Sequence, residues 1–178
     1  AIAVQKARGI DNVKSLTLLT TLLDFTETGV MDVFIDEGMV LRNDIKLGKG
    51  GLATAGMLNS TFSWLRPNEL VWNYVVSHYF KGEAPSAFNI LFWNADSTNL
   101  PGPFYAWYLR NTYLENNLAK PDHLKVCGEK INFGRIDVPS FVYSSIADHI
   151  VPWKSGFESA KLVSGPVRYV LGASGHIA

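Results

Sequence analysis

The 178-residue chain is 47% hydrophobic and carries 16 basic and 16 acidic side chains, so its formal net charge is zero. This length suffices for one domain with a buried core, and the balanced charge lacks the clustered basic excess of a nucleic-acid-binding surface. No apolar run reaches the length of a transmembrane segment, and the single cysteine excludes an internal disulfide and favours a reducing compartment.

The first predicted elements are the end of a helix and a strand. "IAVQKARG" has the pattern of a final helical turn that stops at Gly9, and "VKSLTLLTTLLDF" is apolar and β-branched without a polar face. We expect the second run to be a strand buried on both sides, as in a parallel sheet. The chain lacks an initiator Met and ends two residues after His176, so we expect it to be an internal piece of a longer protein.

The segment from about 26 to about 120 has a different, strongly aromatic character. "RPNELVWNYVVSHYF", with Pro67 near its start, and "GPFYAWYLRNTYLENNLA" both show helical spacing. In the second helix we expect Phe104, Trp107, Leu114 and Leu118 to share one broad face. We interpret 26–120 as a mainly helical insertion, whose aromatic residues fit either an internal core or a cap over an apolar substrate.

Sheet-like patterning returns after residue 120. "HLKVCGEKINFG" predicts a short hairpin that turns at Gly128–Glu129. "VPSFVYSSIA", "PWKSGFESAKLVSG" and "VRYVLGA" then predict a strand, a helix opened by Pro152 and closed by Gly165, and a second strand. Such a unit predicts two parallel strands joined by a right-handed crossover, and hence an α/β fold.

The two predicted strands each end close to a polar residue that can take part in acid–base chemistry: Asp148 follows the first and His176 the second. Ligands of open α/β sheets bind beyond the carboxyl ends of the strands. A carboxylate at that edge can fix the tautomer of a neighbouring imidazole and leave its other nitrogen to act as a base. We therefore predict Asp148 and His176 as catalytic residues, in the acid-before-histidine order of α/β hydrolases.

The nucleophile that this order requires is absent from the sequence. Neither G-x-S-x-G nor G-x-C-x-G occurs in the 178 residues, and the elbow would fall just upstream of Ala1, before the helix that ends at Gly9. Cys127 is an alternative, but "LKVCGEK" is a strand–turn setting with no following helix N-terminus to lower the pKa of the thiol. A lone cysteine in such a run is more typically a small buried apolar residue.

Simpler interpretations remain open for the other polar residues. Asp148 can instead cap the helix that begins near Pro152. His149 should point away from Asp148 and have a structural or substrate-side role. A metal site built from His123, Asp148, His149 and His176 lacks the usual ligand spacing, so the sequence predicts no metal site.

Five stretches carry a resemblance to a known family: "LTLLTTLLDF", "LRPNELVWNYVV", "ILFWNADSTNLPGPFYAWYLRNTYLENNL", "IDVPSFVYSSIADHIVPW" and "YVLGASGHIA". Together they closely resemble poly(3-hydroxyalkanoate) synthases, the bacterial polyester polymerases, and most of all the single-subunit type that uses short-chain monomers. The resemblance covers essentially the whole chain. It implies a partial α/β-hydrolase-like parallel-sheet core formed by residues 1–25 and 121–178, with residues 26–120 inserted as a cap.

The same resemblance implies an activity and its residues. Members of this family polymerise (R)-3-hydroxyacyl-CoA thioesters on a cysteine and release coenzyme A. By motif, His176 would activate the cysteine of a lipase-like box upstream of this chain. Asp148 would support His176 or help to activate the 3-hydroxyl group of the monomer, and Cys127 matches a cysteine that is not the nucleophile. The chain alone should be inactive.

The partners follow from the resemblance as well. Coenzyme A is part of the substrate and a released product, so no cofactor is implied. The implied partners are the acyl-CoA, the polyester chain, a second copy of the full-length protein and the surface of cytoplasmic polymer granules. Two alternatives stay open: a capped hydrolase of esters or thioesters, which a serine elbow upstream would favour, and a non-catalytic scaffold on the same fold.

Overall fold

The computed structural model describes residues 1–65, 67–84 and 96–176. The chain divides into two compact units, residues 1–40 with 108–178 and residues 41–107. The predicted insertion, 26–120, contains the second unit and extends beyond it at both ends.

The regular elements are as follows. The α-helices are α1 (Ile2–Ala7), α2 (Glu37–Leu47), α3 (Ala55–Leu65), α4 (Gly102–Leu109) and α5 (Trp153–Ala160). The strands are β1 (Leu16–Leu19), β2 (Leu52–Ala53), β3 (Leu100–Pro101), β4 (Lys125–Val126), β5 (Glu129–Lys130), β6 (Ser140–Ser145) and β7 (Val167–Gly172). Wider π-helical turns cover Asn68–Trp72, Val75–Phe80 and Arg110–Leu114, and short 3-10 turns cover Gly29–Val33, Asn117–Ala119 and Phe133–Arg135.

The first unit contains a parallel sheet with the strand order β1–β6–β7. The predicted parallel pairing of the last two strands is confirmed, with Ser140 opposite Val167 and Ser145 opposite Gly172. The expectation that the first strand is buried on both sides is wrong for the described residues. Exposure alternates along β1 between half-buried and exposed residues, and Leu19 is 59% exposed, so one face of the strand is open in the described residues.

The crossover helix α5 begins directly after Pro152, as predicted, and packs on β6. It ends at Ala160, earlier than the predicted stop at Gly165. Gly165 instead lies where two stretches of backbone meet: a Cβ atom there would come within 2.4 Å of the Val138 carbonyl oxygen. The residue is needed for this close approach and not as a helix terminator.

Helix α1 ends where predicted, with Gly9 in the left-handed conformation at φ +70°. Its buried face joins a small core that includes Ala3, Ile136 and Val163. At its last turn Lys6 binds both Asp11 and Asp137, and the hydrogen bond from Lys6 holds the pKa of the Asp137 carboxyl below its ordinary value. Helix α1 is thereby fastened to the chain that leads into β6.

The predicted hairpin is formed by β4 and β5. Its turn is at Cys127–Gly128, one residue earlier than predicted, with φ values of +52° and +84°. Two successive positive φ angles are those of a type I′ turn, whose twist matches that of the paired strands. Cys127 is exposed, so the expectation of a buried apolar cysteine is wrong.

The second unit is mainly helical. A two-residue antiparallel pairing joins β2 to β3, and the Gly102 N–H donates to the Gly51 carbonyl at 2.9 Å. The predicted helix after Pro67 forms, largely as π-helical turns that end at Phe80. Residues 85–95, which include the first part of "ILFWNADSTN", lie outside the described residues.

The predicted broad face of the "GPFYAWYLRNTYLENNLA" helix is wrong. Phe104 is 52% exposed and Trp107 is 36% exposed, whereas Ala106 and Leu109 are buried. The α-helical spacing stops at Leu109, because the chain continues in a π-helical turn with more residues per turn. A face extrapolated at 3.6 residues per turn therefore cannot continue to Leu114.

Candidate active site

The chain segments that follow β6 and β7 run side by side beyond the ends of the strands. The Ile146 N–H donates to the Gly172 carbonyl at 2.9 Å, and the Ala147 N–H donates to the Ser174 carbonyl at 3.2 Å. These bonds continue the pairing of the two strands into their loops. These backbone bonds consequently bring residues 148 and 176 to the same edge of the sheet.

Asp148 lies in a tight turn that its own side chain closes. Its Oδ1 atom accepts hydrogen bonds from the N–H groups of Ile150 at 2.9 Å and Val151 at 2.8 Å, and its side chain is fully buried. Asp148 does not cap α5, since the residue at the cap position is Pro152 and no side chain bonds the first turn. The carboxylate stabilises the turn that precedes the helix, which is the local role that aspartate commonly takes.

His176 completes a close pair with Asp148. Its Nδ1 atom lies 2.9 Å from Oδ2 and 3.1 Å from Oδ1 of Asp148, and its side chain is 27% exposed. When Nδ1–H donates to the carboxylate, Nε2 is the ring nitrogen that can accept a proton. The two residues predicted from the sequence are therefore brought into hydrogen-bond contact.

A second histidine ring, that of His149, lies beside the His176 ring; this contact does not test the expectation that His149 points away from Asp148. The ring centroids of His149 and His176 are 6.4 Å apart and the rings are inclined by 77°, an edge-to-face arrangement. The sequence did contain a signal for the position of the His149 backbone. An aspartate that bonds the N–H groups two and three residues ahead fixes the backbone of the residue that follows it, and that residue is His149.

Cys127 is not among the contacts of this pair. Its carbonyl oxygen accepts from the Arg8 guanidinium at 2.7 Å, and Arg8 also binds Glu129.

In the parts of the chain that the structure describes, no cluster of three or more His, Cys, Asp or Glu side chains could hold a metal ion. Over the same residues, no helix has both the length and the apolar character needed to span a bilayer.

Residues 2–178 match the alpha/beta hydrolase fold family, and the chain belongs to this family. This agrees with the predicted fold class and with the acid and histidine at the ends of successive parallel strands. Within the fold the sequence is much closer to one kind of enzyme. It is 54% identical over its full length to the poly(3-hydroxyalkanoate) polymerase subunit PhaC of Cupriavidus necator, and 41% identical over 99% of the chain to the poly(3-hydroxyalkanoate) polymerase of Methylorubrum extorquens.

These matches confirm the resemblance to polyester polymerases that the sequence motifs carry. The chain spans 31% and 29% of the lengths of these two relatives. Among solved structures, the enol-lactonase from Burkholderia xenovorans LB400 matches with a TM-score of 0.41 at 17% identity, covering 98% of this chain and 54% of that one.

Proposed function

We propose that the protein containing this chain is a polyester polymerase. It transfers (R)-3-hydroxyacyl groups from coenzyme A thioesters to a growing polyhydroxyalkanoate chain and releases coenzyme A. The observation that carries this proposal is the 54% identity, over the whole chain, to a protein named as such a polymerase. The hydrogen-bonded Asp148–His176 pair supports it, because acyl transfer by covalent catalysis needs a base beside the nucleophile.

The proposed chemistry assigns the nucleophile to a cysteine upstream of this chain. Nε2 of His176 takes the thiol proton, and the thiolate attacks the thioester carbonyl carbon. The bond from that carbon to the coenzyme A sulfur breaks, and the departing sulfur takes the proton from Nε2. In the second step the hydroxyl group of a bound hydroxyacyl unit attacks the acyl-cysteine. Its proton passes through Nε2 to the cysteine sulfur as the new ester forms.

Asp148 has two tasks in this scheme: it supports His176, and it stabilises its own turn. Its Oδ2 atom accepts from Nδ1–H of His176 and stabilises the imidazolium formed in each step, while its Oδ1 atom is held by two backbone N–H groups. Because these bonds fix the carboxylate, little reorganisation is needed when charge develops on the ring. Asp148 can alternatively assist the monomer hydroxyl, which would place it in the second step only.

The test uses the full-length protein and separates the two tasks of Asp148. In Asp148→Asn the amide oxygen still accepts from the Ile150 and Val151 N–H groups, but the negative charge facing His176 is lost. We expect the release of coenzyme A from (R)-3-hydroxybutyryl-CoA to fall by about 10²- to 10⁴-fold, the range typical of losing a general base or its tautomer partner. His176→Gln should lose at least as much.

Matched controls make the same chemical changes elsewhere. Asp36→Asn alters an exposed carboxylate that bonds the Met39 N–H, and His123→Gln alters an exposed loop histidine. Both should keep normal turnover. Near-normal activity of Asp148→Asn would show that Asp148 only stabilises its turn and does not support catalysis. Coenzyme A release without polymer would indicate a thioester hydrolase instead, and the isolated 178-residue chain should release none.

We further propose that the helical insertion is a cap that keeps water from the acyl-enzyme. It also forms part of the dimer contact of the full-length protein. The full-length protein acts at the surface of cytoplasmic polymer granules. Water exclusion matters because an acyl-cysteine that meets water is hydrolysed. Replacing residues 41–107 by a short linker in the full-length protein should raise the ratio of hydrolysis to polymerisation. Retained labelling of the upstream cysteine by an acyl analogue serves as the folding control, and an unchanged ratio would contradict the cap.

A further inference from the structure

His149 lies beside the candidate pair, and the proposed mechanism gives it no task. It is half-buried, it follows Asp148 directly, and its ring meets the His176 ring edge to face at 6.4 Å. Its backbone is fixed by the turn in which Asp148 accepts from the N–H groups of Ile150 and Val151. The same carboxylate thus holds His176, which contacts both of its oxygens, and closes the turn that carries His149 through Oδ1.

The contacts of His176 explain what a second ring can add. The His176 ring is attached to the chain through Cβ and bonded to the Asp148 oxygens at Nδ1, so its remaining motion is a tilt about the line through these two points, which displaces Nε2. A second contact on the ring restricts this motion. The pairing of Ala147 with Ser174 holds the two loops together, so that both rings are carried on fixed backbone.

We propose that His149 is a positioning residue for His176, acting through ring packing and not through its own protonation. The edge-to-face contact sets the plane of the His176 ring and so aims Nε2 at the nucleophile. This inference rests on the proposed function, because it assigns Nε2 as the base. A polar role for His149, such as a hydrogen bond to substrate, is the alternative that the test must separate.

Three variants of the full-length protein separate packing from polarity. His149→Phe keeps a flat ring without nitrogen, His149→Asn keeps a polar group without a ring, and His149→Ala removes both. Because an edge-to-face ring pair is a weak contact, we expect its removal to lower the rate by roughly two- to tenfold. We expect the Ala and Asn variants to lose that much in kcat for coenzyme A release, with KM changed less than about twofold. His149→Phe should restore most of the activity, and His123→Ala, in an exposed loop, is the control.

A second measurement does not depend on turnover. The rate at which diethyl pyrocarbonate modifies His176, followed by mass spectrometry of the peptide, should rise in the Ala and Asn variants and stay near the wild-type rate in the Phe variant. If the wild-type protein makes no polyester, the proposed function fails and this rate still decides the ring inference. An active Asn variant beside an impaired Phe variant would overturn the proposal in favour of a polar role. Unchanged kcat and unchanged His176 modification in the Ala variant would also overturn it.

Discussion

The two compact units of the chain are held together in different ways. In the unit formed by 1–40 and 108–178, side chains bond backbone far away in sequence: Ser159 Oγ accepts from the Leu23 and Asp24 N–H groups, and Asn116 Oδ1 accepts from the Phe25 N–H. In the described part of the unit formed by 41–107, most side-chain bonds span one helical turn, such as Thr61 to the Met57 carbonyl and Ser77 to the Asn73 carbonyl, and a longer bond runs from the Ala55 N–H to Asn99 Oδ1.

The first unit also buries more of its side chains than the described part of the second unit does. The first unit encloses side chains such as Val142 at 1% exposure, whereas Tyr79 and Phe80 of the second unit are 82% and 74% exposed. Contacts between distant residues fix positions more firmly than contacts within one turn, because many parts of the chain must move together to break them. The candidate pair Asp148–His176, which needs fixed geometry, lies in the first unit. The comparison can be tested by making equivalent changes in both units.

The largest expected effect is at Phe25, in the first unit. Its buried ring meets the rings of Tyr113 and Tyr108 edge to face, at 4.9 Å and 6.3 Å, and burial raises the pKa of the Tyr108 hydroxyl. Phe25→Ala would leave a cavity in this cluster and should reduce the free energy of unfolding by about 3–5 kcal/mol. Urea denaturation of the full-length protein measures this loss.

Phe80→Ala is the matched change in the second unit. Its ring is largely exposed, so we expect its removal to change the free energy of unfolding by less than about 0.5 kcal/mol. A loss as large as that of Phe25→Ala would contradict the contrast between the units. It would mean that other parts of the full-length protein cover Phe80.

A smaller loss is expected at Gly165, again in the first unit. An added Cβ atom would lie 2.4 Å from the Val138 carbonyl oxygen and 2.6 Å from the Asp137 carbonyl carbon. Both are backbone atoms, so the clash cannot be relieved by rotating a side chain. Gly165→Ala should cost about 1–3 kcal/mol, as other overpacking substitutions do, and a lowered midpoint of thermal unfolding is the readout. An unchanged midpoint would show that the two backbone stretches separate easily.

The same contrast explains what could be predicted from the sequence. Strands β6 and β7 and helix α5 were predicted because their signals are local: β-branched and aromatic runs, Pro152 at the helix start, and the connection lengths of a βαβ unit. The approach of Asp148 to His176 followed from the geometry of neighbouring parallel strands, without any knowledge of side-chain rotamers. The role of each residue in catalysis is still a prediction.

The incorrect predictions concern features that depend on neighbouring elements or on departures from regular helix and turn geometry. The burial of β1 depends on which elements pack on its two faces, which its own sequence does not encode. The π-helical turn after Leu109 invalidated a face extrapolated from the α-helical period. The hairpin shifted by one residue because Cys127 adopts a positive φ, which is uncommon for a side chain other than glycine, asparagine or aspartate.

Apart from the near-neutral Phe80→Ala control, the smallest expected effect has the opposite sign and lies in the second unit. Gly56 is in the first turn of α3, is exposed, and has no atom within 4 Å of the place where a Cβ would lie. Gly56→Ala removes chain entropy from the unfolded state without creating a contact, so it should raise the free energy of unfolding by about 0.4–1 kcal/mol. The measurement is the thermal midpoint of the full-length variant beside that of Gly165→Ala. Opposite shifts from the same added methyl group would show that close backbone approach restricts the first unit, while local helix formation governs this position of the second. If Gly56→Ala also lowers the midpoint, the start of α3 must be covered in the full-length protein.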